Sequence, residues 1–211
     1  AIGNVCPHRF VPLSLGKIVG GQVRCGYHGL GFDRTGKCVH NPHGGTGSLA
    51  VSGYPLVERS SLLWIWMGNS ELADPSQIPD FDNIDETTSH VRRGYLHGNA
   101  HYELMTDNIL DLSHIEFLHP ALGTVAVSRA KVQVEQEGET LRTVRSMKDE
   151  VLPTGLAYVY KAGDQVVDRT MAVTWHAPAN MVLNVTVTPV DKSANWQTST
   201  QTLHLFTPET E

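Results

Sequence analysis

Four residues near the start of the chain have the types and spacing of a metal site. Cys6 and His8 are followed, after sixteen intervening residues, by Cys25 and His28. Cys-x-His and Cys-x-x-His each put one thiolate and one imidazole on a loop tip. Such a donor set suits a [2Fe-2S] cluster in which two Cys hold one iron and two His the other, raising the potential above that of an all-Cys cluster. Zinc is the competing reading, because Cys2His2 also fits a tetrahedral structural site. Zinc fingers, however, space their ligands as Cys-x(2–4)-Cys and His-x(3–5)-His, whereas here Cys and His interleave on both arms. Gly3, Gly20, Gly21, Gly26 and Gly29 leave room for tight turns around the ligands.

A second constellation is Asp111-x-x-His114-x(4)-His119. Five residues of ideal helix turn about 500°, so the two histidines would lie about 140° apart. Both reach one ion only if the helix ends or distorts between them, and Pro120 is a reason for it to do so. Two imidazoles and a carboxylate around a metal with open positions form the facial triad of non-haem Fe(II) oxygenases. Asp111, one turn before His114, is placed to accept that residue's second ring proton and fix its tautomer, which makes it a supporting group before a ligand. Asp107 shares a helix face with His114, seven residues away. Standing alone, paired histidines at a helix end are more often packing or surface residues.

These residues need elements to hold them. Residues 1–68 alternate short strand-like runs with turns, at 18–23, 31–32, 33–37, 48–52 and 62–66, and are expected to form a small all-β domain. Trp64 and Trp66 share one face of the last run, which is expected to be a buried strand. Cys38 is expected to be a buried small residue, and His40 and His43 to be exposed loop residues. Residues 69–96, broken by Pro75 and Pro79 and rich in acids, read as a connection. Residues 97–211 are expected to form a second domain, with a helix capped by Thr106 or Asp107 and stopped at Pro120. Strands are expected at 131–136, 140–147, 156–161, 170–175, 181–188 and 201–206. The fold class expected is α+β.

Composition excludes some functions. The 211 residues carry a net charge of −6, which argues against nucleic acid binding. No apolar run is long enough to span a membrane and nothing at the start reads as a signal peptide, so a soluble, cytoplasmic protein is expected. Three cysteines, two of them candidate ligands, leave no pair for a disulfide framework. The chain starts at Ala1, five residues before the first ligand, and is expected to be an internal piece of a longer protein.

The cluster motif resembles the Rieske proteins ligand by ligand. Respiratory members carry two further cysteines at the positions held here by Val11 and Tyr27; their absence points to the ferredoxin and oxygenase branch and agrees with a reducing compartment. The Asn108-to-His114 run with His119 after it looks like the mononuclear-iron motif of Rieske non-haem iron oxygenases. CPHR followed by PLS, YHGL, HNPHG, LWIW, LADP and the terminal TPETE make the chain most similar to the vanillate O-demethylase and dicamba monooxygenase group.

That resemblance implies a helix-grip catalytic domain after the Rieske domain. Cys6, His8, Cys25 and His28 would bind the cluster, and His114 and His119 the Fe(II), with Asn108 near it. A ferredoxin or reductase would feed single electrons to the cluster. The iron would activate O2 to hydroxylate an aromatic acid; on a methoxy carbon the hemiacetal collapses to a phenol and formaldehyde. Asp111 would be the electron bridge, reached from a neighbouring subunit's cluster histidine in a head-to-tail homotrimer. The third iron ligand, an Asp beyond TPETE in the family, is expected to lie outside this chain. By alternation Asn184 shares a face with Val182 and Thr186, and His204 one with Thr202 and Phe206; similarity to the dicamba-type pocket favours both as substrate contacts. The alternative is an electron-transfer [2Fe-2S] module without a working mononuclear site, which would have no reason to contain the second motif.

Overall fold

Gly20 and Gly21, both at positive φ, close a two-residue hairpin between β1 (Lys17–Val19) and β2 (Gln22–Arg24), with Val19 opposite Gln22. Two successive left-handed residues match the right-handed twist of the strands they join. The run expected at 18–23 is therefore two strands. The structure is a computed structural model that describes residues 1–81, 84 and 87–208. Glu209, Thr210 and Glu211 of TPETE, and residues 82, 83, 85 and 86 of the expected connection, lie outside the described residues.

The chain divides into two units, Ala1–Ser89 and His90–Glu211. In the first, β1 and β2 continue through β3 (Gly31–Phe32) and β4 (Cys38–His40) as an antiparallel sheet in sequence order. Cys6, Leu13, Cys25, Leu30, Phe32 and Cys38 form its buried core. Thus both candidate thiol ligands are core residues, and Cys38 is buried as expected. Residues 48–52 are not a strand; Ala50 makes only an isolated bridge to Lys37. A separate hairpin, β5 (Leu56–Arg59) and β6 (Leu62–Ile65), carries the first tryptophan. Trp64 and Trp66 are half-buried, with Leu63 and Ile65 exposed between and beside them, so this strand is not the fully buried one its apolar run suggests. Trp64 instead stacks on Phe81, ring centroids 5.9 Å apart.

In the second unit α1 spans Tyr102–Leu110, a short 3-10 turn follows at Leu112–His114, and α2 spans Ile115–Leu118. The helix begins four residues before the expected cap: the His101 ring accepts from the Glu103 N–H, and Thr106 is buried inside the helix. Then come β7 (Lys131–Glu137), β8 (Thr140–Val151), α3 (Thr154–Val159), β9 (Val166–His176), β10 (Asn180–Pro189) and β11 (Thr198–Leu205). The five strands pair antiparallel in the order β11-β10-β9-β8-β7. Where a strand was expected at 156–161 the chain is helical. Leu156, Ala157 and Tyr160 pack into one core cluster at the i, i+1, i+4 spacing of a helix face, and that burial decides for helix in a short apolar run that could equally be read as a strand.

Period two sorts the sheet. Met147, Met171, Val173 and Met181 fall on one face and pack against Leu112, Ile115 and Val127, which lie on or just beyond the broken helix. Burying one such Met side chain stabilises by about 1.5–3 kcal/mol, so the sheet fixes the segment that bears His114 and His119. The architecture is α+β: a small all-β unit followed by an antiparallel sheet with helices on one face. Among the described residues no helix is long and apolar enough to cross a membrane.

Candidate metal centres

The two Cys-His loops are built on one plan. Cys6 N–H donates to Val11 O and Cys6 O accepts from Phe10 N–H; Cys25 N–H donates to Leu30 O and Cys25 O accepts from Gly29 N–H. The residue closing each loop is left-handed, Phe10 at φ 59° and Gly29 at φ 75°. The main-chain N–H groups of His8 and Arg9 point at the Cys6 sulfur, those of Tyr27 and His28 at the Cys25 sulfur, and the two thiols hydrogen bond to each other. Burial pushes the Cys6 thiol up. At Cys25 burial acts in the same direction, but the Tyr27 and His28 amides and the Cys6 thiol outweigh it and hold this thiol lower.

The His8 and His28 rings meet edge to face, centroids 4.6 Å apart. The His28 pKa is lowered by its partial burial and by the nearby His8, His43 and Arg9. A recess of ≈ 240 Å³ opens beside them, lined by His8, His28, Leu30, Asn41, His43 and Leu49. His43 is exposed, as expected, but it is not a bystander: its Nε2 lies 3.2 Å from His28 O. The donors are thus a buried sulfur pair under main-chain N–H groups and an outer imidazole pair. Among the described residues no three His, Cys, Asp or Glu side chains are placed to hold one metal ion. The two-plus-two arrangement fits a two-iron cluster better than a single tetrahedral zinc.

The structure also brings His114 and His119 together, ring centroids 5.4 Å apart and nearly perpendicular. Helix geometry alone would splay them. The helix breaks at Asp111 (φ −108°, ψ 94°), restarts, and ends again at His119 (φ −128°, ψ 68°), whose ring leaves the helical path. The His114 Nδ1 lies 2.8 Å from the main-chain oxygen of Asp111, which leaves Nε2 free for a ligand. Its ring partner is therefore a carbonyl and not the expected carboxylate. The Asp111 carboxylate caps the 3-10 turn by accepting from Ser113 N–H at 2.9 Å, and it accepts from the Arg145 guanidinium at 3.1 Å. Hydrogen bonds from Ser113, with help from Arg145 and against a smaller effect of burial, hold this carboxyl below the ordinary carboxylate range. Asn108 and Asp107 are exposed on α1, and Asp107 does not form a three-residue metal group with the histidines.

The register separates the two expected substrate contacts. His204 pairs with Met181, and Asn184 pairs with Gln201 and Ala172. Paired residues share a face and neighbours alternate, so His204 faces the helix side with Met181 and Met171, and Asn184 projects from the opposite face. One pocket wall on a single face cannot contain both. His204 is the one beside the core: its Nε2 is buried with no hydrogen-bond partner among the described residues, and burial lowers its pKa.

Two structural groups escaped the sequence reading. Arg145 bridges Asp111 and the main-chain oxygen of Val127. Glu150 and Arg169, each about 2% exposed, form a bidentate pair at 2.6 and 2.9 Å. Arg169 had a signal, since it falls on the same strand face as Val167, Met171 and Val173. A charge there needs a buried partner. Glu150 had none, because a register shift between Met147 and Glu150 moves it out of simple alternation.

Comparison with known proteins gives this arrangement its context. The Rieske [2Fe-2S] domain matches residues 1–55, and the vanillate O-demethylase oxygenase C-terminal domain matches residues 98–211. The oxygenase component of dicamba O-demethylase from Stenotrophomonas maltophilia is 37% identical over 218 residues, taking in 100% of this chain and 63% of that protein. The oxygenase component of chloroacetanilide N-alkylformylase from Rhizorhabdus wittichii is 37% identical, across 100% of this chain and 62% of its own length. A crystal structure of dicamba monooxygenase bound to 3,6-dichlorosalicylic acid superimposes with a TM-score of 0.91 at 34% identity, covering 99% of this chain and 62% of that one. The chain thus spans less than two thirds of the length of these relatives.

Proposed function

Because the chain belongs to the vanillate O-demethylase and dicamba monooxygenase group of Rieske non-haem iron oxygenases, we propose that it is the core of an oxygenase component that hydroxylates, and on methoxy carbons demethylates, an aromatic acid. The observation that carries this reading is the 5.4 Å pairing of His114 and His119 in a chain that also presents the Cys6/His8 and Cys25/His28 loops.

Cys6 and Cys25 would hold one iron of the cluster and His8 and His28 the other; His114 and His119 would hold Fe(II). The cluster would supply single electrons and the Fe(II) would bind and activate O2. The chain's own groups prepare both sites. Main-chain N–H groups at each sulfur favour the thiolate a cluster needs. The Asp111 carbonyl fixes the His114 ring so that Nε2 presents its lone pair. The third ligand would be a carboxylate; among the described residues no Asp or Glu completes the histidine pair.

Asp111, its carboxyl held low chiefly by Ser113, would serve as the electron bridge by accepting a hydrogen bond from a cluster histidine of a neighbouring subunit in a homotrimer. The orphaned Nε2 of His204 is suited to a polar group of the substrate: a buried unpaired nitrogen costs about 1–3 kcal/mol, which a bound carboxylate or phenol oxygen would recover. A ferredoxin or reductase would deliver the electrons in a reducing, cytoplasmic setting. In balance, one methoxyarene, O2, two electrons and two protons give a phenol, formaldehyde and water.

Iron analysis of the full-length protein tests the reading against a plain electron-transfer module. About three irons per chain are expected, two in the cluster and one between the histidines. Two irons, with no O2-dependent turnover, would leave only the electron-transfer role.

A further inference from the structure

Beyond the ligands, the turn that follows His119 is locked from below by charge. His119 O accepts from both Leu122 N–H at 2.7 Å and Gly123 N–H at 3.0 Å, which folds the chain back against α2. The fold-back is close. A Cβ at Gly123 would lie 2.5 Å from Ile115 O and 2.7 Å from the Glu116 Cα, so only glycine lets the turn pack there. Leu122 O, on the far side of the same turn, accepts from the Arg169 guanidinium at 2.8 Å. Thr124 donates its hydroxyl to Glu150 and accepts from Ala126 N–H. Glu150 and Arg169 are bound to each other in the interior.

Every polar group of this buried pair therefore serves either its partner or the three residues Leu122 to Thr124. We propose that the Glu150–Arg169 ion pair is a positioning device for His119, holding the following turn closed so that the His119 ring stays opposite His114. The inference rests on the reading of those two histidines as iron ligands. Arginine suits the task because one planar guanidinium can bind a carboxylate through two donors and still offer a third to a carbonyl. A buried pair is weak evidence for stability as such, since a well-packed apolar pair often replaces one without loss. That separates positioning from mere packing.

The test uses the full-length protein with its cluster loaded and its mononuclear iron stripped, titrated with Fe(II). In the double variant Glu150→Met/Arg169→Met no charge is left buried alone. Its thermal midpoint and the cluster's EPR spectrum are expected to stay near wild type while Fe(II) affinity at the histidine pair falls roughly 10- to 100-fold, the usual cost of losing a ligand's supporting partner. Wild-type affinity in this variant would overturn the proposal. Should the double variant not fold, Arg169→Lys serves instead, because an ammonium can pair with Glu150 but cannot also reach Leu122 O through a fixed fork. The same loss of affinity is expected, and wild-type affinity would again overturn it. His119→Ala is the control on the underlying reading. It is expected to abolish uptake; Fe(II) uptake like wild type there would remove the ligand assignment and the inference with it.

Discussion

At His114 a main-chain oxygen, not a carboxylate, sets the ring, and this frees the Asp111 carboxylate for other work. Its bonds to Ser113 and Arg145 divide into a structural part and an electrostatic part. Asp111→Asn retains an oxygen that can cap Ser113 but gives up the charge facing Arg145. The variant should therefore keep its fold and cluster spectrum and lose turnover by roughly 10- to 100-fold. Steady-state rates beside an EPR spectrum check this, and undiminished turnover would count against Asp111 as the electron bridge. Residue types and spacing marked Cys6, His8, Cys25 and His28 as candidates, whereas His114 and His119 stood above ordinary helix-end histidines only beside the cluster motif and the family resemblance. Types and spacing were not enough for the partners of Asp111: Arg145 lies 34 residues away on β8, a neighbour that only the sheet register supplies.

Among the elements, the broken helix does the most for the site. Asp111 ends one helix and caps the next turn, and His119 steps out of α2, which turns a 140° separation into an adjacent pair. Gly123 holds the return of the chain. Gly123→Ala should destabilise the second unit by about 1–3 kcal/mol, because the new Cβ meets main-chain atoms that cannot move aside; urea unfolding measures it.

In the first unit the turn into β4 is tied by Asp33, whose Oδ1 accepts from Thr35 N–H, the Thr35 hydroxyl and Lys37 N–H. Thr35, chiefly through its side chain, and then Lys37 hold the Asp33 carboxyl below its ordinary value. A lowered folded value means that the stabilisation is complete above about pH 4, the unfolded value, and is lost as pH falls through the folded one. Asp33→Asn should thus lower the thermal midpoint at pH 7, with the gap to wild type narrowing toward pH 3. A gap independent of pH would show that the charge contributes nothing.

The strands of the second unit were legible wherever one face is buried, as at 181–188, because alternation there follows packing. The run at 156–160 is continuously apolar, with no period to read, and it folds as a helix because its buried residues meet a core at helical spacing, which a short apolar run alone does not reveal. Asn184 and His204 show the same limit. Each strand's own alternation was readable, but which faces coincide depends on the register between β10 and β11, set by pairs such as Met181 with His204.

For the whole molecule, the proposed chemistry divides between the two units. The first offers sulfur and imidazole pairs suited to moving electrons one at a time; the second offers a histidine pair with an aspartate of lowered pKa beside it and, on the sheet, an orphaned buried imidazole nitrogen. On the proposed function, one electron stored at the first centre and one from Fe(II) at the second would be spent on O2 and a methoxyarene. A single-turnover experiment on the full-length protein tests this directly. With Fe(II) loaded at the histidine pair as the source of the second electron, the cluster is reduced chemically, excess reductant is removed, and O2 is admitted with a methoxybenzoate. Formaldehyde is expected to appear as the cluster re-oxidises, and His119→Ala, with the same cluster spectrum, is expected to form none. Formaldehyde from His119→Ala at the wild-type yield, or cluster oxidation in the wild type without product from any carboxylated methoxyarene, would contradict it.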